Sequence, residues 1–566
     1  MTWNEQNKAQ SIMDVLEGTV EEWYDQVDGL LKASDFIPGN YEYSVNVAYA
    51  NSGEFDEGGQ THVDIGCDRF KIISLDNSYI SLEMTFPITV PALGTIASHT
   101  LKRIKKFYIG FKSAFDAIDA YRIYSNTDLI QTQNHANYES FLQYMSLSDA
   151  AKENSELYAT WDKIQHLNED VPGVYVDLGA SADNQAFEIN VPLNLRIPLN
   201  QFLMFANLKW FPGFFGKLTL EIYPSYKNLV VCPVFDTQIA GEDVTDANVG
   251  SERLKLSQIA KFVGDNLATS TVGSNIGGFR QINTNVLAGI DETTADKTKA
   301  AVMKAFTCTT SRTNKCHLRL AETVVRMDVY NQVLSRFINQ PMLFPIQTII
   351  SKDFSGAMPK AKDQNINMAM TNALNHCNSM FVVFKKSNND RTCFENPMIN
   401  WQVNIDGKYF PREQYKTYND HRNMNLFLDA TNFNGNGLFS VPNDIYHSLQ
   451  PGITIRKYSQ ASPEATAESQ KMQFPLKDRS NFAIGIPFCE DDTFQAGIHS
   501  GGTVQVELLG SRTGIFPTMY ADANPSALYV EDCILKLRSV KPSGEAQIAY
   551  THATPEQLLS TAVVAN

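Results

Sequence analysis

The sequence predicts an all-β protein built from two tandem eight-stranded jelly-roll β-sandwiches, with helical insertions and a short N-terminal helical segment. Short apolar runs alternate with polar turns along most of the 566 residues, and strand-forming aromatic residues are abundant, with 33 Phe and 23 Tyr. The same order of segments also occurs twice in the chain. Fixed-order self-similarity of this kind is what the duplication of a domain leaves in a sequence.

Five pairs of segments carry the repeat, in the same order in both halves. They are FYIGFK and MFVVFKK; AYRIYSNTD and NWQVNIDGK; NYESFLQYM and NMNLFLDA; LRIPLNQFLMF with GKLTLEIYP and FAIGIPFCEDD with GGTVQVELLG; and AETVVRMDVY and VEDCILKLRS. A single antiparallel sheet of this length would leave long apolar edges exposed. Two packed sheets avoid this, and eight strands joined by long connections suit a jelly roll.

The domain boundaries follow from changes in the hydrophobic period. The predicted units are an N-terminal helical arm at 1–40, a first jelly roll at 41–335 with a long Gly-, Thr- and Asn-rich insertion at 233–316, a second jelly roll at 336–546, and a small, polar C-terminal tail at 547–566. Apolar residues at helical spacing also predict a helix over residues 138–167, inside the first jelly roll.

The charge balance argues against a protein that grips nucleic acid over a broad surface. The chain has 47 Lys and Arg against 62 Asp and Glu, a formal net charge of −15, whereas neutralising phosphates requires clustered basic residues. The first 35 residues hold eight acidic residues and two lysines. We therefore expect no basic arm and no specific nucleic-acid binding.

Targeting signals and cysteine pairs are not evident in the sequence. The first ten residues contain no apolar run of the kind found in signal peptides, and no stretch approaches the about 18 apolar residues of a membrane span. The eight cysteines are scattered singly, without a Cys-x-x-Cys pair. We expect a soluble protein made in a reducing compartment and not secreted, with mostly buried free thiols.

No specific catalytic constellation is found, so we predict that the protein is not an enzyme and has no catalytic, cofactor-binding or metal-binding residues. Cys308, Cys316 and His317 do not have the spacing of a common zinc site. The acidic segment FCEDD at 488–492 is interpreted as a solvated loop, although it offers oxygens to a divalent cation.

Two apolar segments are candidates for assembly contacts. The candidate residues are Trp23, Val27 and Leu30 in the leading helix, and Trp210, Phe211, Phe214 and Phe215 in the segment KWFPGFFGKL. The leading helix packs either on its own domain or on a partner subunit. The aromatic segment is interpreted as a loop at a subunit interface, with a sugar-binding platform as the alternative.

Two adjacent jelly rolls without a catalytic centre resemble the double-jelly-roll major capsid proteins of DNA viruses. INWQVNIDGKYFP and NFAIGIPFCEDDTFQAGIHSGGTVQVELLG look most like segments of the major capsid proteins of virophages and polinton-like viruses. The resemblance spans about residues 41–540. It is carried by structural segments, so there are no catalytic residues to transfer.

The resemblance implies a structural subunit of an icosahedral virion that encloses double-stranded DNA. Three chains would form a homotrimer whose six jelly rolls make a pseudo-hexameric capsomer, in contact with neighbouring capsomers and with penton and minor capsid proteins. Synthesis would take place in the host cell cytoplasm. The alternatives are a carbohydrate-binding or carbohydrate-active β-sandwich protein, and a tandem jelly-roll capsid protein of an RNA virus, against which the missing basic arm counts.

Overall fold

The computed structural model of the chain describes residues 44–49, 59–66, 71–90, 104–125, 128–147, 149–160, 163–164, 170–177, 187–206, 208–235, 279–283, 306–324, 327, 331, 334–335, 342–356, 358–359, 364–374, 377–385, 388–394, 397, 399–417, 420–431, 481–488, 503–512, 524–539 and 546–551. The predicted arm at 1–40 lies outside these residues.

The first copy of the repeat contains strands from β1 to β14 and three α-helices. The elements are β1 (Ser44–Tyr49), β2 (Thr61–Ile65), β3 (Lys71–Val90), β4 (Ile104–Gly110), β5 (Ile118–Ser125), β6 (Asp128–Asn134), α1 (Ala136–Ser146), α2 (Asp149–Asn154), β7 (Gly173–Asp177), β8 (Phe187–Pro198), α3 (Leu203–Ala206), β9 (Trp210–Pro212), β10 (Leu218–Pro224), β11 (Val230–Phe235), β12 (Arg280–Gln281), β13 (Thr307–Cys308) and β14 (Arg312–Val324). Short 3-10 turns lie at Ala114–Ala117, Leu199–Gln201 and Gly213–Phe215.

Eight of these strands form a jelly roll. One antiparallel sheet has the order β1-β14-β3-β8, and the other has the order β2-β10-β5-β6. If the eight strands are lettered B to I along the chain, these orders are B-I-D-G and C-H-E-F, the two sheets of a jelly roll. Strand β9 extends the G position. It pairs with Ile72–Ser74 near the start of β3, whereas β8 pairs with Tyr79–Val90 of the same strand.

The second copy repeats this order with fewer additions. Its elements are β15 (Met342–Asp353), β16 (Asn365–Ala373), β17 (Cys377–Val383), β18 (Ile399–Ile405), β19 (Lys408–Lys416), α4 (His421–Thr431), β20 (Ala483–Pro487), β21 (Thr503–Arg512), β22 (Ser526–Ser539) and β23 (Ala546–Thr551). The sheets run β15-β22-β17-β20 and β16-β21-β18-β19, again B-I-D-G and C-H-E-F. The fold class predicted from the sequence is therefore the observed one.

Alternation along the strands explains how the two sheets of a sandwich share a core. In β18 the side chains of Ile399, Trp401, Val403 and Ile405 are buried, and the residues between them are partly exposed. Alternate side chains of a strand point to opposite faces, so the apolar set of β18 faces inward.

Each copy has a helix directly after its F strand, α1 in the first and α4 in the second. In the second copy Trp401 donates its indole N–H to Asn423 at 2.8 Å, which fixes α4 against β18. Gly485 lets the helix approach β20, because a Cβ there would lie 2.9 Å from both Ala430 Cβ and Phe427 Cα.

The first copy carries an additional sheet with the order β12-β11-β4-β7. Its strands come from the D–E, F–G and H–I connections, which leave a jelly roll at the same end. β3 is 20 residues long and continues beyond its pairing with β9. Phe86 on this extension contacts Phe111 after β4, with ring centroids 5.6 Å apart. The additional sheet therefore packs on the extended D and G strands.

Topology corrects one of the five segment pairs. FYIGFK lies on β4 and at its end, in the additional sheet, whereas MFVVFKK contains the D strand β17 of the second copy. The D strand of the first copy is β3. The connection from β3 to β5 has 27 residues (91–117) against 15 (384–398) from β17 to β18, so the first copy has room for an extra strand before E.

Three further boundaries differ from the sequence-based expectation. Strands β12 and β13 and the start of β14 fall within the predicted insertion at 233–316, and β23 pairs with β22 inside the segment assigned to the tail. The helix expected over 138–167 is not continuous: α1 and α2 are followed by Tyr158, which forms a β-bridge with Ser113, and among the described residues helix resumes at 163–164.

Candidate assembly surfaces

The candidate assembly residues fall into two groups. Trp23, Val27 and Leu30 lie outside the described residues. In the second group Phe211, Phe214 and Phe215 are buried, and Trp210 is partly exposed. A role of this segment in assembly stays a prediction, and of its four rings Trp210 retains surface that a neighbour can contact.

Strand pairing explains why the aromatic segment turns inward. Trp210 and Phe211 pair with Ser74 and Ile73 of β3. Phe215 then packs edge-on against Phe211 and Phe214, with ring centroids 5.4 and 5.0 Å apart. Rings packed edge-on inside a core do not present flat faces to a sugar, which leaves the partly exposed Trp210 as the ring of this segment that a ligand or a neighbour can reach.

The best-defined interface within the described residues joins the two sandwiches. Its apolar centre is Phe394, in the D–E connection of the second sandwich. The ring stacks on Tyr138 at 6.0 Å and packs edge-on against Phe141 at 5.0 Å, both on α1. Phe394 is fully buried. An aromatic ring held between two others is a typical interface anchor.

Polar bonds extend this junction on one side of Phe394. Gln281 of β12 donates from Nε2 to the Asn389 carbonyl at 2.7 Å, and its Oε1 accepts from the Arg391 backbone N–H at 2.7 Å. The Arg391 guanidinium pairs with Asp119 of β5. The junction therefore uses the additional sheet as well as the sandwich body of the first copy.

The opposite side of the junction is formed by strand edges. β6 is the last strand of its sheet, and β15 is the last strand of its own. Gln133 of β6 donates from Nε2 to the Ile349 carbonyl of β15 at 3.0 Å. β23 also contacts β6 and the Gly213–Phe215 turn. The F edge of the first sandwich thus meets the B edge of the second.

A buried polar cluster lies beside Phe394 at the same junction. Lys112 donates from Nζ to the Thr392 carbonyl at 3.0 Å and to Asn481 Oδ1. Asp116 lies four residues further on and is buried, as Lys112 and Asn481 are. The three side chains line a cavity of about 20 Å³, enough for about one water molecule.

Burial shifts the pKa of the carboxyl group in this cluster. Desolvation raises the pKa of Asp116 to about 7, against a smaller opposing effect of the Lys112 charge and of hydrogen bonds from the Ser113 N–H and the Ser140 side chain. A carboxyl group with such a pKa exchanges its proton near neutral pH.

A second buried lysine lies in the D–E connection of the second copy. Lys385 follows Phe384 as Lys112 follows Phe111, and its Nζ lies 2.8 Å from Asp353 Oδ1. That bond stays within the second sandwich. Of these two buried lysines, Lys112 bonds to the other sandwich, and the described bond of Lys385 does not.

Of the residues considered for metal binding, Cys308, Cys316 and His317 are described, whereas residues 489–492 of the acidic segment lie outside the described residues. Among the described residues no group of three or more His, Cys, Asp or Glu is arranged to hold a metal ion. Cys308 and Cys316 are buried, and Cys308 donates from Sγ to the Thr310 carbonyl at 3.1 Å. Burial raises the pKa of Cys316 to about 12, which keeps it a thiol.

Sequence reasoning singled out neither the junction loop at 388–394 nor the Lys112 cluster. The loop reads as a polar turn, and its partners Asn137 and Gln281 are more than 100 residues away in the chain. The only sequence signal is a pair of Phe-Lys dipeptides before the two E strands.

No described helix has both the length and the apolar character needed to cross a bilayer.

Comparisons with known proteins find similarity only among solved structures. No family model and no curated protein matches the sequence. The chain is similar to the mavirus major capsid protein (11% identity, 91% of this chain and 92% of that chain, TM-score 0.46). It is also similar to a chain of the Sputnik virophage structure (11%, 92% and 91%, 0.47) and to the Faustovirus major capsid protein (9%, 91% and 98%, 0.36). The strand order makes the chain a double jelly roll.

Proposed function

We propose that the protein is the major capsid protein of a double-stranded DNA virus and that three copies close into a pseudo-hexameric capsomer of an icosahedral virion. The observation that carries this proposal is the junction between the sandwiches. It joins the F edge and helix α1 of the first sandwich to the B edge of the second. Both sandwiches have the same strand order, so the same kind of contact can be repeated between chains.

Two strand edges, the F edge of the second sandwich and the B edge of the first, do not meet another sandwich among the described residues of the same chain. Strand β19 is the F edge of the second sandwich, and its main described contacts are with β18 and α4. Strand β1 is the B edge of the first sandwich and packs mainly on β14 and β2. We infer that β19 of one chain faces β1 of the next. Three such contacts and three internal junctions close a ring.

The charge of the chain fits a shell that encloses DNA without gripping it. A net charge of −15 opposes adsorption to phosphate at physiological salt. Synthesis in the host cytoplasm, contacts with penton and minor capsid proteins and location in the virion belong to the same proposal.

The leading segment is proposed as a contact between capsomers. Its apolar stripe at Trp23, Val27 and Leu30 stands on an acidic background, and each large side chain loses about 1.5–3 kcal/mol if left in water. Deleting residues 1–35 is expected to leave the trimer folded and to impair shell assembly. Normal assembly of the truncated chain would refute this role, and failure to fold would show that the segment packs on its own domain.

The trimer is tested by its mass in solution. Mass photometry or light scattering of the purified chain at micromolar concentration is expected to give three copies. The variant Tyr409→Glu with Arg412→Glu places two carboxylates on exposed positions of β19, where they should break the trimer into monomers. His62→Glu adds one carboxylate to exposed β2, the edge not used by the junction, as the single variant Tyr409→Glu does to β19, and it should leave the trimer intact.

A wild-type chain that stays monomeric would contradict both the trimer and the capsid role. Equal effects of the β19 and β2 variants would contradict the proposed edge while leaving the trimer. Electron microscopy of the trimeric fraction should show pseudo-hexagonal particles.

A further inference from the structure

We propose that Lys112 and Asn481 form an isopeptide bond that joins the two sandwiches covalently, with Asp116 relaying the protons. The inference rests on the arrangement of three side chains at the junction. It does not depend on assembly into a capsid.

The nucleophile and the acceptor are already in contact. Lys112 Nζ reaches the side-chain amide of Asn481, and its second bond, to the Thr392 carbonyl at 3.0 Å, holds the ammonium group at the same place. Asn481 is fixed from the other side, because its backbone forms a β-bridge with Phe394 and the next residue donates its N–H to the Phe394 carbonyl at 2.8 Å. Two groups held in contact react as if at very high concentration.

The surroundings bury the three groups and leave room for about one water molecule beside them. Lys112, Asp116 and Asn481 are 8%, 4% and 2% exposed. Phe141, Tyr144 and Tyr158 line the cavity with them, and the ring centroid of Phe279 lies 5.7 Å from Lys112 Nζ. Burial disfavours the ionised form of a carboxyl group and raises the pKa of Asp116 to about 7, so this group can hold a proton near neutral pH.

The reaction is a transamidation in which all atoms and charges balance. Lys112 gives a proton to the Asp116 carboxylate and becomes a neutral amine. Its Nζ then attacks Cγ of Asn481, forming the new C–N bond, while Asp116 protonates the carbonyl oxygen. The tetrahedral intermediate collapses, the bond from Cγ to the original amide nitrogen breaks, and ammonia leaves with the proton as ammonium. Asp116 ends as it began, and no oxidant or reductant is consumed.

The bond would connect positions 369 residues apart in the chain. Closing so long a loop restricts the unfolded chain, as a disulfide does, and it needs no oxidising compartment. The two sandwiches could then separate only by unfolding, not by opening the junction.

The first test is the intact mass of the purified full-length protein under denaturing, reducing conditions. The expected mass is that of the sequence less one ammonia. A succinimide at an Asn residue loses the same ammonia, so tryptic peptides must also be mapped. The isopeptide bond gives a branched peptide that joins the Lys112 and Asn481 segments, and trypsin no longer cleaves after Lys112.

Variants assign the three roles. Lys112→Met and Asn481→Ala should each restore the full mass and abolish the branched peptide. Asp116→Asn leaves both reacting groups in place and should slow or stop the reaction. Lys385→Met is the matched control, because it removes the corresponding buried lysine of the second sandwich and should leave the branched peptide unchanged.

The wild-type measurement alone can overturn the proposal. Folded protein with the full sequence mass and normal cleavage after Lys112 would refute the bond. Formation of the branched peptide at the wild-type rate in Asp116→Asn would refute the proton relay.

Discussion

Glu139 of α1 is a carboxyl group that solvent does not reach. It accepts hydrogen bonds from the Tyr121 hydroxyl at 2.9 Å and from the Leu203 N–H at 2.8 Å, and it holds α1 against β5 and α3. Burial nevertheless raises the pKa of Glu139 well above its ordinary 4.5, because the two hydrogen bonds offset only part of the desolvation.

This pKa predicts a pH dependence of stability. The folded state binds the Glu139 proton more tightly than the unfolded state, so the stabilisation is complete below pH 4.5 and is lost as the pH rises through the folded pKa. Urea unfolding of Glu139→Gln between about pH 5 and pH 8 should therefore show a flatter profile than the wild type. Parallel profiles of the two proteins would contradict this.

Gly173 is a position where the additional sheet tolerates no side chain. A Cβ there would lie 2.5 Å from the Tyr108 ring, which is fully buried. Gly173→Ala should destabilise the protein by about 1–3 kcal/mol through overpacking. The matched control is Gly66→Ala, whose Cβ would meet Lys217 at an ordinary 3.5 Å and should change stability by less than about 0.5 kcal/mol. Equal unfolding midpoints of the two variants would refute the steric argument.

Single residues show where sequence reasoning stops. The aromatic character of residues 210–215 is plain, but whether the rings face a neighbour or a core depends on the pairing of Phe211 with Ile73, far away in the chain. Lys112 and Asp116 read as ordinary surface charges. Their burial comes from a loop of the other sandwich, and no local pattern encodes a contact of that range.

At the level of elements, the D–E connection of the second sandwich is the main link across the junction. Phe394→Ala removes a ring packed between Tyr138 and Phe141. It should cost about 3–5 kcal/mol, because the cavity lies between two rigid sandwiches that cannot collapse into it. Chemical unfolding of the variant measures the loss. Met327→Ala, at a side chain that is 54% exposed, should have little effect, and a similar loss there would contradict the assignment.

The elements of the two jelly rolls were largely predictable, because strand alternation and the order of the repeat are local or self-consistent signals. Four of the five segment pairs occupy the same place in both copies. FYIGFK does not, because strand chemistry alone cannot distinguish β4, a strand of a connection, from the D strand β3. The helix predicted over 138–167 was too long because Leu157, which lies in a turn after α2, fits helical spacing by chance.

For the whole molecule, the junction predicts cooperative unfolding. The buried residues of both sandwiches form one continuous hydrophobic cluster, and Gln281 alone makes three hydrogen bonds to residues 389–392. Calorimetry of the full chain should show one transition. Gln281→Ala should lower its midpoint or divide it, because several of these bonds are lost together. Two well-separated transitions in the wild type would show that the sandwiches unfold independently.

The chain passes from the first sandwich to the second between β14 and β15. In the described part of the chain no strand begins between Val324 and Met342, and each side of this segment holds a full set of eight jelly-roll strands. A gene divided there would encode two polypeptides that each carry a complete barrel, with Phe394 and the edges of β6 and β15 as their complementary docking surfaces. The two sandwiches therefore resemble the two subunits of a heterodimer that are joined by a peptide linker, and the two halves are suited to reconstitution from separate polypeptides.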